Sequence, residues 1–236
     1  MSNFLERKQE IIDMATGPEA EPATVAYTAQ EHATWLIICE ALRPMWDKQV
    51  SDRVLAARDA LDLPSQHIPQ LAEVTQRLSG SSGFKFRAIG GLGERDQFFG
   101  ALGDGRFLST QFIRNSDNPF YTQEPDVVHE LLGHGMLLAD PELAQLHRLA
   151  GRAITQVELE QTKQFIANVW WFSGEFGVTF ESGKLKALGA GLLSSVSELQ
   201  HMDETVISSL NIGAMGLTAY RTDQLQPRLF AGESVT

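Results

Sequence analysis

A chain of 236 residues is long enough for one domain with a full hydrophobic core, or at most two small ones. Hydrophobic and charged contents of 43% and 21% are those of a soluble globular protein. A formal net charge of -11 argues against nucleic acid or an anionic membrane surface as the main partner, since both reward a basic face.

Residues 1–26 are polar and broken by Gly17, Pro18 and Pro22, which reads as a loose arm with a short helix over 6–14. Thr28 is an N-cap with Glu31 completing a capping box, and apolar residues at helical spacing follow over 29–50, interrupted near Pro44. Cys39 lies there in the apolar run Trp35-Leu36-Ile37-Ile38-Cys39. As the one cysteine it permits no intrachain disulfide, and it reads as a buried small hydrophobe. Further helices are predicted over 50–61 and from Pro69 to the Gly80-Ser81-Ser82-Gly83 stop. A short strand over 84–89 ends at Gly90-Gly91, a helix spans 94–102, and 106–113 is extended. After the loop at 115–119, helices are expected over 125–138, 141–154 and 158–172, then a tight hairpin over 178–185. Gly189-Ala190-Gly191 leads into a helix over 192–201, and the remainder reads as loop with short strands. The sequence has no repeat, no convincing linker and no apolar stretch of signal-peptide or bilayer length. The expectation is one mainly α domain with small β elements, 27–236, in the cytoplasm.

Two of the six histidines stand in His129-Glu130-Leu131-Leu132-Gly133-His134. The nearest mechanistic template is the zinc-protease helix His-Glu-x-x-His, with ligands four apart on one face and the glutamate as general base. Here the interval is five, which on a straight α-helix turns the second side chain about 140° from the first. Both reach one ion only where the helix ends or distorts, and Gly133 and Gly135 permit that. A zinc hydrolase is therefore the weaker alternative, but the pair remains a good ligand set. Asp140, Glu142 and Glu175 are the carboxylates available to complete it. Glu175 sits in Trp170-Trp171-Phe172-Ser173-Gly174-Glu175-Phe176-Gly177, where a carboxylate must be paired, protonated or metal-bound. The bland reading is a helix-end charge. Two imidazoles and one carboxylate with open positions suit ferrous iron and oxygen chemistry, and the lack of a nearby Cys disfavours structural zinc.

Four separated motifs carry a resemblance. They are Phe112-Ile113-Arg114, the run from Glu124 through His134, Trp171-Phe172-Ser173-Gly174-Glu175-Phe176-Gly177, and Gly189-Ala190-Gly191-Leu192-Leu193-Ser194-Ser195. In this order, and from about Tyr27 to Glu233-Ser234, the chain resembles the pterin-dependent aromatic amino acid hydroxylases. The resemblance implies a mainly helical single-domain catalytic fold and Fe(II) held by His129, His134 and Glu175. It also implies tetrahydrobiopterin and O2 as co-substrates, and hydroxylation of an aromatic amino acid ring. Arg114 matches the clamp on the substrate carboxylate, Asp126 its support, and Thr122 and Ser194 further carboxylate contacts, with Ser194 also orienting His129. Glu130 matches a carboxylate beside the iron and pterin. Phe98 matches the pterin-stacking ring, Gly91, Leu92 and Gly93 the loop over it, and Trp171 the wall of the substrate-ring pocket. By themselves Phe98 and Trp171 would be core packing and Arg114 a surface ion pair with Asp126. The regulatory domain and tetramerisation helix of larger animal members have no counterpart here, so a monomer of bacterial type is expected. Departures from the family pattern surround the pocket: Trp170 for tyrosine, Ser173-Gly174 for Thr and a β-branched residue, Gly93-Glu94-Arg95 in the pterin loop, and Leu229 for an active-site tyrosine. Phenylalanine, attacked at the para or meta position, is the expected substrate, because Trp171 narrows the pocket toward one ring; tryptophan is the alternative.

Overall fold

Thr28 opens the long helix as its sequence predicts: Oγ1 accepts the Glu31 N–H at 3.2 Å, and Glu31 Oε2 accepts the Thr28 N–H at 2.6 Å. The computed structural model describes residues 2–91, 93–222 and 224–233. In it this helix, α2, runs over Ala29–Gln49 and passes through Pro44, where the sequence reads an interruption. Proline removes one ladder bond. The buried Leu42 and Trp46 beside it hold the helix in place, with Trp46 Nε1 donating to Leu193 O at 2.8 Å. Ahead of it, in the segment expected as a loose arm, lies α1 (Ser2–Asp13); Ile11 and Val25 are buried there against Phe112.

Helix α3 (Asp52–Leu61) starts later than the spacing predicts, because the Ser51 N–H is taken by Ala187 O at 3.0 Å and Val50 bridges to Ala187. Helix α4 (Leu71–Leu78) begins after a Gln70 cap that donates its N–H to Glu73 Oε2 at 3.0 Å, which leaves Pro69 outside the first turn. Strands β1 (Lys85–Ala88) and β2 (Arg106–Ser109) pair in parallel, with helix α5 (Arg95–Gly103) as their crossover. The extended stretch expected as far as 113 ends as a strand at Ser109, since the Thr110 N–H goes to Glu130 Oε1 at 3.1 Å instead of a ladder.

The chain then enters a π-helix, His129–Gly135, which continues as α6 (Met136–Ala139) and, after Asp140, as α7 (Pro141–Thr155). Helices α5 and α7 meet at glycines: a Cβ on Gly151 would lie 2.3 Å from Gly103 N, so the backbones touch only without it. Helix α8 (Glu160–Trp170) runs into a second π-helix, Trp171–Glu175. Strands β3 (Gly177–Glu181) and β4 (Lys184–Ala187) form the predicted hairpin. Its two-residue turn has Ser182 at φ 51° and Gly183 at φ 75°, the positive pair that hairpins of this length favour.

The helix expected over 192–201 is two pieces, α9 (Ala190–Leu193) and α10 (Val196–His201), because Ser195 caps the second by accepting the Glu198 N–H at 3.2 Å. Beyond them come β5 (Val206–Ser209), a helix α11 (Ile212–Leu217) that the sequence reading lacks, and β6 (Arg228–Glu233). The second sheet runs in the order β4-β3-β6-β5, with β3 and β4 antiparallel and the other pairs parallel. The fold is mainly α with small β elements, and the two π-helices face each other across its core.

Candidate metal centre and substrate cavity

A helix closed by i→i+5 hydrogen bonds winds more slowly than an α-helix, so residues five apart come round to the same side. This resolves the awkward interval between His129 and His134. Their Nε2 atoms lie 3.1 Å apart, with no helix end between them. Gly133 has a different part from the one its flexibility suggests: a Cβ there would lie 2.7 Å from Ala190 O, so it lets α9 approach the π-helix. The second π-helix brings Glu175 round, with Oε1 3.0 Å from His134 Nε2 and Oε2 3.5 Å from His129 Nε2. The three ligand atoms lie within 4.8 Å of one another. Asp140 and Glu142, the other candidate carboxylates, are engaged elsewhere: both pair with Arg53, and Asp140 caps α7.

The proton positions follow from the neighbours. Ser194 Oγ donates its one proton to Ala190 O at 2.8 Å, so at 3.0 Å from His129 Nδ1 it accepts. His129 is therefore the Nδ1–H tautomer, and its Nε2 lone pair faces the cluster. Burial pushes the imidazoles down, His129 to about 4 and His134 to about 3, which keeps both neutral ligands. Burial raises Glu175, against the opposing pull of His129 and His147. Two lone pairs and a carboxylate converging without a thiolate form a cation site that fits Fe(II). Cys39 lies buried in α2, apart from this cluster.

The cluster opens on a cavity of about 950 Å³, also lined by Gly91, Gly93, Phe98, Arg114, Thr122, Glu130, Trp171 and Ser194. Leu92 lies outside the described residues. Arg114 is buried, unlike a surface ion pair. It donates from Nε to Asp126 Oδ2 at 2.9 Å and from Nη2 to Oδ1 at 2.6 Å, while its backbone N–H also reaches Oδ2 at 2.7 Å. Asp126, itself fully buried, accepts the His129 N–H at 3.2 Å and so ties the guanidinium to the first π-helix. Thr122 Oγ1 donates to Glu124 O at 2.6 Å. Burial pushes the Glu130 carboxyl well above the usual carboxylate range, against the lowering effect of the Thr110 N–H.

Trp171 stacks on Tyr220 at 4.0 Å between centroids and 8° between planes, and its Nε1 donates to Gln226 Oε1 at 3.1 Å. Gln226 in turn donates its N–H to Glu198 Oε1 at 3.1 Å, and burial raises Glu198 to about 7. Tyr220 and Glu198 line the cavity and Gln226 holds Trp171 at its wall; none of the three is named by the sequence motifs. What marks them is the stack of Tyr220 on Trp171 and the hydrogen bonds running from Trp171 through Gln226 to Glu198, contacts made only in the folded chain.

The family model described as biopterin-dependent aromatic amino acid hydroxylase matches residues 2–236. The phenylalanine 3-hydroxylase of Streptomyces coeruleorubidus is 38% identical over 97% of this chain and 83% of its own length. The chloroplastic phenylalanine 4-monooxygenase of Physcomitrium patens is 35% identical over 84% of this chain; there the match spans 51% of the relative. Among solved structures, the phenylalanine hydroxylase of Chromobacterium violaceum with bound iron(III) and 7,8-dihydrobiopterin superposes with a TM-score of 0.87. It is 26% identical, over 97% of this chain and 85% of the other. The phenylalanine hydroxylase of Legionella pneumophila gives a TM-score of 0.84 at 32% identity, over 91% of this chain and 87% of the other.

Proposed function

The chain belongs to the biopterin-dependent aromatic amino acid hydroxylases, and from that premise we propose that it hydroxylates the ring of free phenylalanine, using O2, iron and tetrahydrobiopterin. The observation that carries this is the convergence of His129, His134 and Glu175 at one cavity with the buried Arg114–Asp126 pair. The zinc-hydrolase alternative falls with the family assignment.

In this reading His129, His134 and Glu175 hold the metal, and Phe98 offers a ring face to the pterin, with Gly91 and Gly93 beside it. Reductive activation of O2 is the chemistry those two groups supply when bound. The protein's own part is orientation and the exclusion of water. Arg114, fixed by Asp126, takes the substrate carboxylate, with Thr122 and Ser194 beside it at the cavity wall. Trp171, clamped between Tyr220 and Gln226, forms a flat wall for a single aromatic ring and supports phenylalanine over tryptophan. Glu130 stands at the cavity wall, its carboxylate oxygen Oε1 held by the Thr110 N–H at 3.1 Å. The catalytic part comprises 27–236, with 1–26 along its flank; the ion pair Lys8–Glu124, at 2.9 Å, joins that flank to the cavity rim.

We further take the protein as a cytoplasmic monomer acting on a small molecule, without nucleic acid or membrane. The formal charge of -11 disfavours nucleic acid and an anionic membrane surface, and among the described residues no helix is long and apolar enough to cross a membrane. The assay combines the protein with Fe(II), tetrahydrobiopterin, O2 and each aromatic amino acid in turn, and reads products by chromatography and mass spectrometry. Phenylalanine gaining one oxygen is expected, and no hydroxylated product from any of them overturns the reading. Retention time separates meta from para attack; the likeness to the Streptomyces enzyme favours meta.

A further inference from the structure

Behind the ligand cluster, three buried polar atoms make no hydrogen bond: His134 Nδ1, His147 Nε2 and Trp170 Nε1. Unpaired buried polar groups are costly, so such a concentration calls for a partner. The three rings form a near-equilateral triangle. Centroid distances are 6.0 Å for His134–His147, 5.9 Å for His134–Trp170 and 6.0 Å for His147–Trp170. His134 and Trp170 are parallel within 6°, and His147 stands across them at 89° and 86°.

The donors and acceptors can be counted. His134, with Nε2 turned to the metal position, carries its proton on Nδ1 and is a donor there. The Trp170 indole is a donor only. His147 donates from Nδ1 to Leu143 O at 2.8 Å, so its Nε2 is an acceptor. Two donors and one acceptor cannot all be satisfied by pairing among themselves. A water molecule accepts two hydrogen bonds and donates one, which matches all three, and about three bonds is what a buried water makes.

We propose that one buried water joins His134 Nδ1, Trp170 Nε1 and His147 Nε2, and that His147 and Trp170 act through it as positioning residues for the iron ligand His134. The inference rests on the iron reading given above. Gly174 supports it independently, because a Cβ there would lie 2.9 Å from Trp170 Nε1 and push the indole N–H out of place. Trp170 and Gly174 both depart from the family pattern, and this contact makes them a matched pair. His147, which no motif marks, supplies the acceptor.

A high-resolution crystal structure of the iron-loaded protein is expected to show one ordered water within hydrogen-bond distance of all three nitrogens. Iron affinity, read by chelator competition without pterin or substrate, is expected to fall about 10- to 100-fold in His147→Phe and in Trp170→Phe. His147→Gln, whose amide oxygen replaces the Nε2 acceptor, should recover most of it; melting of the metal-free proteins checks that each variant folds. The proposal is overturned by a direct contact between the rings with no water among them, or by a folded His147→Phe that binds iron like the wild type. Should His147→Phe not fold, the wild-type crystal structure decides. A wild type that takes up no iron removes the metal reading and this inference together. Iron binding indifferent to all three variants removes this inference alone.

Discussion

Ser194 has one proton and gives it to Ala190 O, and that choice decides which nitrogen of His129 faces the metal. In Ser194→Ala the His129 Nδ1–H loses its acceptor. Iron affinity measured without substrate should fall about 10- to 100-fold, the usual cost of removing such a partner; an unchanged affinity would show that Ser194 serves the substrate alone. Glu198 offers a second test. Its carboxyl, ordinarily near 4.5, is raised by burial to about 7, so the folded state holds the proton more tightly than the unfolded chain. The stability this proton confers is complete below the unfolded value and is lost as pH rises through about 7. Glu198→Gln keeps the acceptor for the Gln226 N–H and removes the titration. Its stability, read from melting curves, should gain on the wild type between pH 5 and 8, by up to about 3 kcal/mol at 1.36 kcal/mol per unit. Parallel melting curves would contradict this. At this scale the candidate metal ligands, Arg114 and Asp126 were legible because they sit in the motifs that carry the family likeness. Glu198, Gln226 and Tyr220 were not, since what marks them is contact with Trp171 for Tyr220 and Gln226, and with Gln226 for Glu198.

The π-helices are the elements on which the site depends, and the sequence announces only their consequence, an i+5 interval that an α-helix does not accommodate. Gly133 is the residue that makes the first one usable: Ala190 O lies where its Cβ would be, at 2.7 Å, and that oxygen belongs to backbone that cannot easily yield. Gly133→Ala is expected to lower stability by about 1–3 kcal/mol in denaturant unfolding. It should also weaken iron binding, because α9 leads to Ser194 and would be pushed away. A variant with the wild-type midpoint would mean that the two elements separate without cost. Elsewhere local signals erred where tertiary contacts overrode them. Pro44 does not interrupt α2, because Leu42 and Trp46 are buried on either side of it. One predicted helix became α9 and α10 because Ser195 prefers to cap. Helix α11 was missed because Ile212–Leu217 contains two glycines and few periodic cues, and its Asn211 cap shows only in the Ala214 N–H bond at 2.8 Å.

For the whole molecule, the site joins distant parts of the chain, so a ligand binding only the folded state should stabilise all of it. Fe(II) at a hundred times its dissociation constant is expected to add about 2.7 kcal/mol. For a chain of this size that is a rise in melting temperature of several degrees. A chelator should reverse the rise and Glu175→Ala abolish it. Iron that leaves the wild-type melting unchanged would speak against a site built from the folded state. The sequence by itself determined the class of fold, the family and the His129–His134 pair, because these reside in residue identities at fixed intervals; Glu175 as the third candidate ligand came with the family likeness and not with spacing. It did not determine how His129 and His134 share one ion, which depends on a backbone winding stabilised by α9 behind it. Nor did it determine the company that Trp170, Trp171 and His134 keep, because those contacts are made between elements far apart in the chain and exist only once the core has closed.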